Sequence, residues 1–253
     1  MHTVDQPFLL SFFLFVTLWL SMLGGVALHR LRRLKPEERR DFNIILTATL
    51  TLLSLILGFS FSMAVTRYDQ RKGYEEAEAN AISAEYARAE MLPATEAAGV
   101  QSLLRTYLAK RVSFYETENS DRLRQIDGET YRVQKALWAA VKGEAATQPT
   151  AVAILVVSGM NDVIRSQAHA QGSWWNRIPN SAWVLMTIIA ICSNMMIGFG
   201  GYHVGSRPLI FLMLPFVLTI AFYLIAEIDS PRSGVIHVVP ENLVSLSKAL
   251  QAR

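Results

Sequence analysis

Four apolar runs, each long enough to cross a bilayer, constrain this chain more than anything else in it. They occupy residues 7–29, 43–65, 181–204 and 208–228, and none carries an ionised residue before Glu227 at the end of the last. A helix needs roughly 20 residues to span the hydrocarbon core. In lipid only helices and closed barrels satisfy every backbone N–H and C=O. The runs therefore predict an all-α membrane protein with four transmembrane helices arranged as two hairpins. Charged residues are 18% of the chain, against about 25% in soluble domains. Asp5 is the only charged side chain before the first run, and the basic residues follow it. That order fits a retained helix and not a cleaved leader.

Between the hairpins lies a long polar segment, residues 66–180, with a helical pattern. No proline interrupts residues 43–92, so the second span is expected to continue out of the membrane as one helix of roughly 70 Å. Further helices are expected after Pro93, from about Ser120, and after Pro149. Leu104, Tyr107, Leu108, Val112 and Tyr115 recur at helical spacing. Four helices that each bury one face make a bundle. The resulting division is a first hairpin at 1–65 with a basic loop at 30–42, an extramembrane helical segment at 66–180, a second hairpin at 181–228, and a tail at 229–253. In the tail, Leu243, Leu246 and Leu250 mark a short amphipathic helix. Trp174, Trp175, Trp183 and Tyr202 flank the third span, as expected of rings at headgroup level.

Several chemistries have no residues to carry them. Cys192 is the only cysteine, which excludes an intrachain disulfide and a cysteine metal cluster. His2, His29, His169, His203 and His237 are scattered without ligand spacing. There is no nucleophile elbow, phosphate-binding loop or dinucleotide fingerprint. The expectation is no enzyme, no cofactor and no metal. A formal net charge of +3 gives no reason to expect nucleic acid.

The basic residues have a local use. Arg30, Arg32, Arg33, Lys35, Arg39 and Arg40 crowd the first hairpin loop against Glu37, Glu38 and Asp41. The positive-inside rule places that loop in the cytoplasm of an inner-membrane protein, with both termini and the helical segment on the other side. Arg67, Arg71, Lys72 and Arg177 flank the opposite face and count against it.

The polar residues inside and just beyond the spans are the candidate functional positions. Asn43, Thr47, Thr51, Ser54, Gly58 and Ser62 step along one face of the second helix. Such a face must meet protein or water. It is either the wall of a water-filled pore, narrowed at Phe59 or Phe61, or a close-packed helix contact. Arg67, Asp69, Arg71 and Glu75 follow where the helix emerges, as a charged mouth or a solvated face with one-turn pairs. Glu85 and Arg88 are also spaced to pair. Asn80, set among alanines, is expected to be a buried polar group needing a partner. In the fourth span Pro215, Thr219, Tyr223 and Glu227 lie one turn apart. Glu227 and Asp229, with Arg232, then form an acidic site, or a lock onto Arg67 or Arg71, or carboxylates that simply reach interfacial water. Asn194, Gly198 and Gly201 share one face of the third span, as expected of helix packing.

Several stretches resemble the bestrophin-like family of bacterial membrane proteins. They are GFSFSMAVTRYDQRKGYEEAEANAISAEYARAEMLP (58–93), ALW (136–138), MNDVIRSQAHAQ (160–171), RIPNSAW (177–183) and IDSPRSGVIHV (228–238). Bestrophins are pentameric, mostly helical anion channels with two membrane hairpins and a pore lined by the second span. The resemblance implies a homo-oligomer in a lipid bilayer passing small inorganic ions along span 2. The asparagine–proline-rich filter of bestrophins is missing here. Bestrophins also keep their helical region in the cytoplasm, opposite to the orientation given by the basic loop. A membrane-anchored helical module that binds or senses without conducting is the other reading.

Overall fold

The structure is a computed structural model describing residues 7–31, 35–147, 150–200, 208–232 and 236–252. His2, Arg32, Arg33, Gly201, Tyr202 and His203 lie outside the described residues. Helices account for nearly all of the described chain: α1 (Pro7–Leu31), α2 (Pro36–Ala89), α3 (Ala94–Glu116), α4 (Ser120–Thr147), α5 (Ala151–Ser173), α6 (Asn180–Gly200), α7 (Pro208–Asp229) and α8 (Glu241–Gln251). No strand occurs among these residues. Four helices are long and apolar enough to cross a bilayer: α1, α2, α6 and α7. The chain is thus an all-α membrane protein, as its apolar runs predict.

The basic turn of the first hairpin is shorter than the expected 30–42. Pro36 opens α2, where the missing N–H of proline costs nothing. Glu37 and Glu38 occupy its first turn, next to the positive end of the helix dipole. The Lys35 backbone N–H donates to Glu38 Oε2 at 3.0 Å, so the acid also closes the helix start. From there α2 runs unbroken for 54 residues.

The described chain divides into two compact units, Met1–Arg67 with Arg177–His237, and Tyr68–Asn176 with Val238–Arg253. In the first, α1 packs on α6 and α7. Leu18, Leu53, Met186, Ile189, Ala190, Leu218 and Phe222 form its core. Glycines let α1 and α6 approach closely: a Cβ on Gly25 would strike the Met195 carbonyl, and one on Gly198 the Met22 carbonyl. The Ser21 hydroxyl donates to the Ile191 carbonyl at 2.7 Å. This is the small-residue packing that membrane helices use in place of a hydrophobic drive. α7 continues through Pro215, and the Thr219 hydroxyl donates to the Pro215 carbonyl at 2.7 Å.

In the second unit, residues 68–89 of α2 join α3, α4, α5 and α8 around Ile82, Leu104, Tyr107, Leu108, Ile126, Leu137, Val156, Met160, Val163 and Leu243. Leu243 and Leu250 are buried, with Leu246 packed beside them. The tail is therefore amphipathic as its spacing predicts. Trp174 is not an interfacial ring. It is buried, edge-on to Phe114 and Tyr115 at 5.5 and 5.4 Å. Burying a large ring among aromatics outweighs its neighbourhood to a span. Trp175, by contrast, is 81% exposed.

Candidate functional site

The face of α2 that carries Asn43, Thr47, Thr51, Ser54, Gly58 and Ser62 is exposed along its whole length. The residues that α2 buries in the first unit, Leu53, Ser60 and Ala64, lie on another side of the helix. Helical register also separates the two phenylalanines. Phe61 follows Asn43 by eighteen residues, five turns at 3.6 residues per turn, and so sits on the polar face. Phe59 lies about 160° around the helix from Asn43. Both rings are exposed.

A shallow, open depression extends from this face onto the apolar side of α2, against Arg40, Asn43, Thr47, Ala48 and Thr51 and equally against Ile44, Leu52 and Leu55. All of its lining residues belong to α2. A single chain therefore offers a wall and not a tube. The Thr51 and Ser54 hydroxyls donate to the Thr47 and Leu50 carbonyls, both at 2.9 Å. Back-bonding of this kind satisfies the donor and leaves the oxygen a lone pair for water. By its place in the basic run, Arg40 is expected in the loop. Its place one turn before Asn43 on the same face follows from α2 beginning at Pro36.

Where α2 ends its passage through the first unit, Arg67 Nη1 lies 3.3 Å from Asp229 Oδ1. The Asp229 carboxylate also accepts the Ile178 backbone N–H, at 3.1 and 2.9 Å to its two oxygens. Asp229 thus ties α2 to the chain entering α6, and the lock on Arg67 takes the Asp229 form. Glu227 is buried nearby in sequence, and Arg232 is half-buried.

In the second unit α2 turns a row of charges inward. Arg71 is buried and donates to the Ser173 and Asn176 carbonyls at 3.5 and 3.3 Å. Glu75 accepts from Asn242 Nδ2 at 2.7 Å and from the Leu243 N–H at 2.9 Å. It thereby supplies an acceptor to the unsatisfied start of α8. Glu78 is held by two nitrogens of Arg111 and by the Tyr115 hydroxyl. The guanidinium also stacks 4.4 Å from the Phe114 ring centre. Burial, then the Glu78 charge, pushes the Tyr107 and Tyr115 hydroxyls up, keeping both neutral. Glu85 and Arg88 pair at 3.5 Å, as their spacing predicts.

Asn80, Arg71 and Glu75 differ from expectation: Arg71 and Glu75 are buried and are neither a charged mouth nor a solvated face. Asn80 is exposed in the single chain; the inward face of α2 here is Glu78, Ala79 and Ile82. Its amide has water available and no buried partner to find. Asp69 is exposed too, so the inward charges are Arg71, Glu75 and Glu78. Arg111 was not singled out by sequence. Its one signal was a cation in register with the apolar residues Leu104, Leu108 and Tyr115.

Among the described residues no group of histidines, cysteines or acids is placed to hold a metal ion. The chain matches the family model of the bestrophin-like domain over residues 12–243. It is similar in structure to a bacterial bestrophin homologue from Klebsiella pneumoniae solved by zinc anomalous phasing, at 13% identity. That alignment covers 94% of this chain and 97% of the other, with a TM-score of 0.65. A tryptophan-to-alanine variant of a bacterial bestrophin homologue from Klebsiella pneumoniae aligns at 13% identity over 96% of each chain, TM-score 0.67. An isoleucine-to-threonine variant aligns at 14% identity over 94% and 97%, TM-score 0.62. At such identities the likeness is one of fold. No curated protein sequence matches. With a family match spanning most of its length and the same fold over nearly the whole chain, this membrane protein belongs to the bestrophin-like family.

Proposed function

We propose that the protein is a homo-oligomeric ion channel whose pathway is lined by α2. The observation that carries this reading is the exposure of the polar face from Asn43 to Ser62 in a chain that buries the other side of the same helix. A polar face within a bilayer must meet protein or water. A ring of subunits sets one such face per subunit around a common axis. In that ring Asn43, Thr47, Thr51, Ser54, Gly58 and Ser62 face water and Phe61 narrows the path. Arg67 and Asp69 set the charge near its mouth. Asp229 holds Arg67 in place. Residues 66–180 stand in water outside the bilayer, and the basic turn faces the cytoplasm.

The test is flux of chloride and of potassium from liposomes holding the purified protein, beside Ser54→Leu. Flux in the wild type that is lost in the variant supports a channel and this wall. Equal flux in both removes α2 from the pathway. No flux of either ion from folded protein replaces the channel with a membrane-anchored helical binding module.

A further inference from the structure

Glu78 and Glu75 find donors for their buried carboxylates; Glu85, two turns further along the same inward face of α2, does not. Its side chain is 0% exposed. Among the described residues no hydrogen bond reaches Oε1 or Oε2. A carboxylate buried this way is disfavoured as an ion, because the long contact with Arg88 at 3.5 Å replaces only part of the hydration it gives up. As a neutral acid it loses far less.

We propose that Glu85 is a proton-binding site at the contact between α2 and α5, seated as a neutral carboxyl against Gly159 and driven from that seat when it ionises. Glycine at 159 lets the side-chain ends lie directly over the α5 backbone: a Cβ there would meet Glu85 Oε2 and Arg88 Nη1, and both ends would have to shift. Gly159 is itself buried, between the core residues Val156, Met160 and Val163 of α5. Movement of Glu85 therefore disturbs the α5 face that closes the core.

The charged surroundings are few. Arg88, on the same helix and 29% exposed, lies 3.5 Å from Oε2 and favours the ion. Asp162 of α5 opposes it and is paired with Arg165 at 3.4 Å. On α3, Arg105 is turned to Tyr86, donating to its hydroxyl at 2.9 Å. Burial outweighs the cation and pushes the Glu85 carboxyl up from 4.5 to about 7. The folded state thus binds the proton more tightly than the unfolded chain. The contribution of Glu85 to stability is fully present below the ordinary carboxylate range and is lost as pH rises through about 7. Ionisation releases one proton to water and changes no other bond.

This inference stands whether or not the protein conducts. The test is infrared spectroscopy of the full chain in lipid nanodiscs across a pH titration, compared with Glu85→Gln. The expected difference is a protonated-carboxyl C=O band, present in the wild type, absent from the variant, and lost with a midpoint near 7. Arg88→Gln should move that midpoint up and Asp162→Asn should move it down. These two keep Glu85 and serve if Glu85→Gln fails to fold. A midpoint in the ordinary carboxylate range, or one that neither neighbour moves, overturns the proposal.

Discussion

Arg67 and Asp229 are 162 residues apart in sequence and 3.3 Å apart in space, and the carboxylate between them also receives the Ile178 N–H. One side chain thus serves α2, α7 and the chain entering α6. Asp229→Ala leaves a buried N–H and a half-buried guanidinium without their acceptor. The expected cost is about 1–3 kcal/mol, read as a lower unfolding midpoint in detergent. Asp229→Asn keeps one oxygen for Ile178 and should lose less. Equal losses would mean that the N–H contact contributes nothing.

The Glu78–Arg111 pair sits where breaking it is expensive, since both side chains are 0% exposed. Arg111→Met strands a buried carboxylate and should cost about 3–5 kcal/mol. Adding Glu78→Gln removes the stranded charge. The double variant should therefore be more stable than the sum of the single losses, by about 0.5–3 kcal/mol. Denaturant unfolding followed by tryptophan fluorescence measures all three, and strict additivity would show that the pair is not coupled.

The spans and most helix starts were legible because hydropathy and proline act locally; the start of α2 at Pro36 was hidden by the basic run that follows it. Pro93 and the Ser120 turn bracket α3 as expected, and Thr150 caps α5 through Ala153 N. The charge network was not legible. Glu78 with Arg111 and Glu75 with Leu243 join residues 33 and 168 positions apart, and one sequence carries no pairing information at that range. Trp174 misled for a related reason. Its position beside a span says headgroup region, but Phe114 and Tyr115, nearly sixty residues earlier, decide its burial. For the polar face of α2, the steps between residues revealed the stripe. Which phenylalanine shares it needed only helical register.

Gly24 and Gly25 are neighbours with opposite roles. A Cβ on Gly24 meets nothing, whereas one on Gly25 meets the α6 backbone at Met195 and Phe199. Backbone cannot rotate aside, so Gly25→Ala must push α1 from α6. A loss of about 1–3 kcal/mol is expected. Gly24→Ala should be neutral or gain up to roughly 1 kcal/mol from a stiffer helix. Thermal unfolding of the two variants side by side is the check; similar midpoints would refute tight α1–α6 packing there.

Orientation is open to a labelling experiment. Cys192 is the only native cysteine, so Cys192→Ser gives a clean background. Glu37→Cys at the start of α2 and Glu96→Cys in α3 both substitute exposed positions. The basic turn facing the cytoplasm predicts that an impermeant thiol reagent on intact cells labels the α3 site and spares the α2 site. The reverse pattern would give this chain the orientation of bestrophins and show that Arg67, Arg71, Lys72 and Arg177 outweigh the first loop.

Phe59 and Phe61 separate the pore reading from general disturbance of α2. The two rings are two residues apart, both exposed, and alike in size and depth along the helix. Only Phe61 shares the azimuth of Asn43. If the polar face borders the path, Phe61→Ala widens a constriction and should raise ion flux severalfold. Phe59→Ala, facing lipid or a neighbouring helix, should leave flux near the wild-type level. Equal effects of the two would mean that flux responds to loosening of α2 as a whole. A rise from Phe59→Ala alone would place the path on the other side of the helix, against the polar stripe.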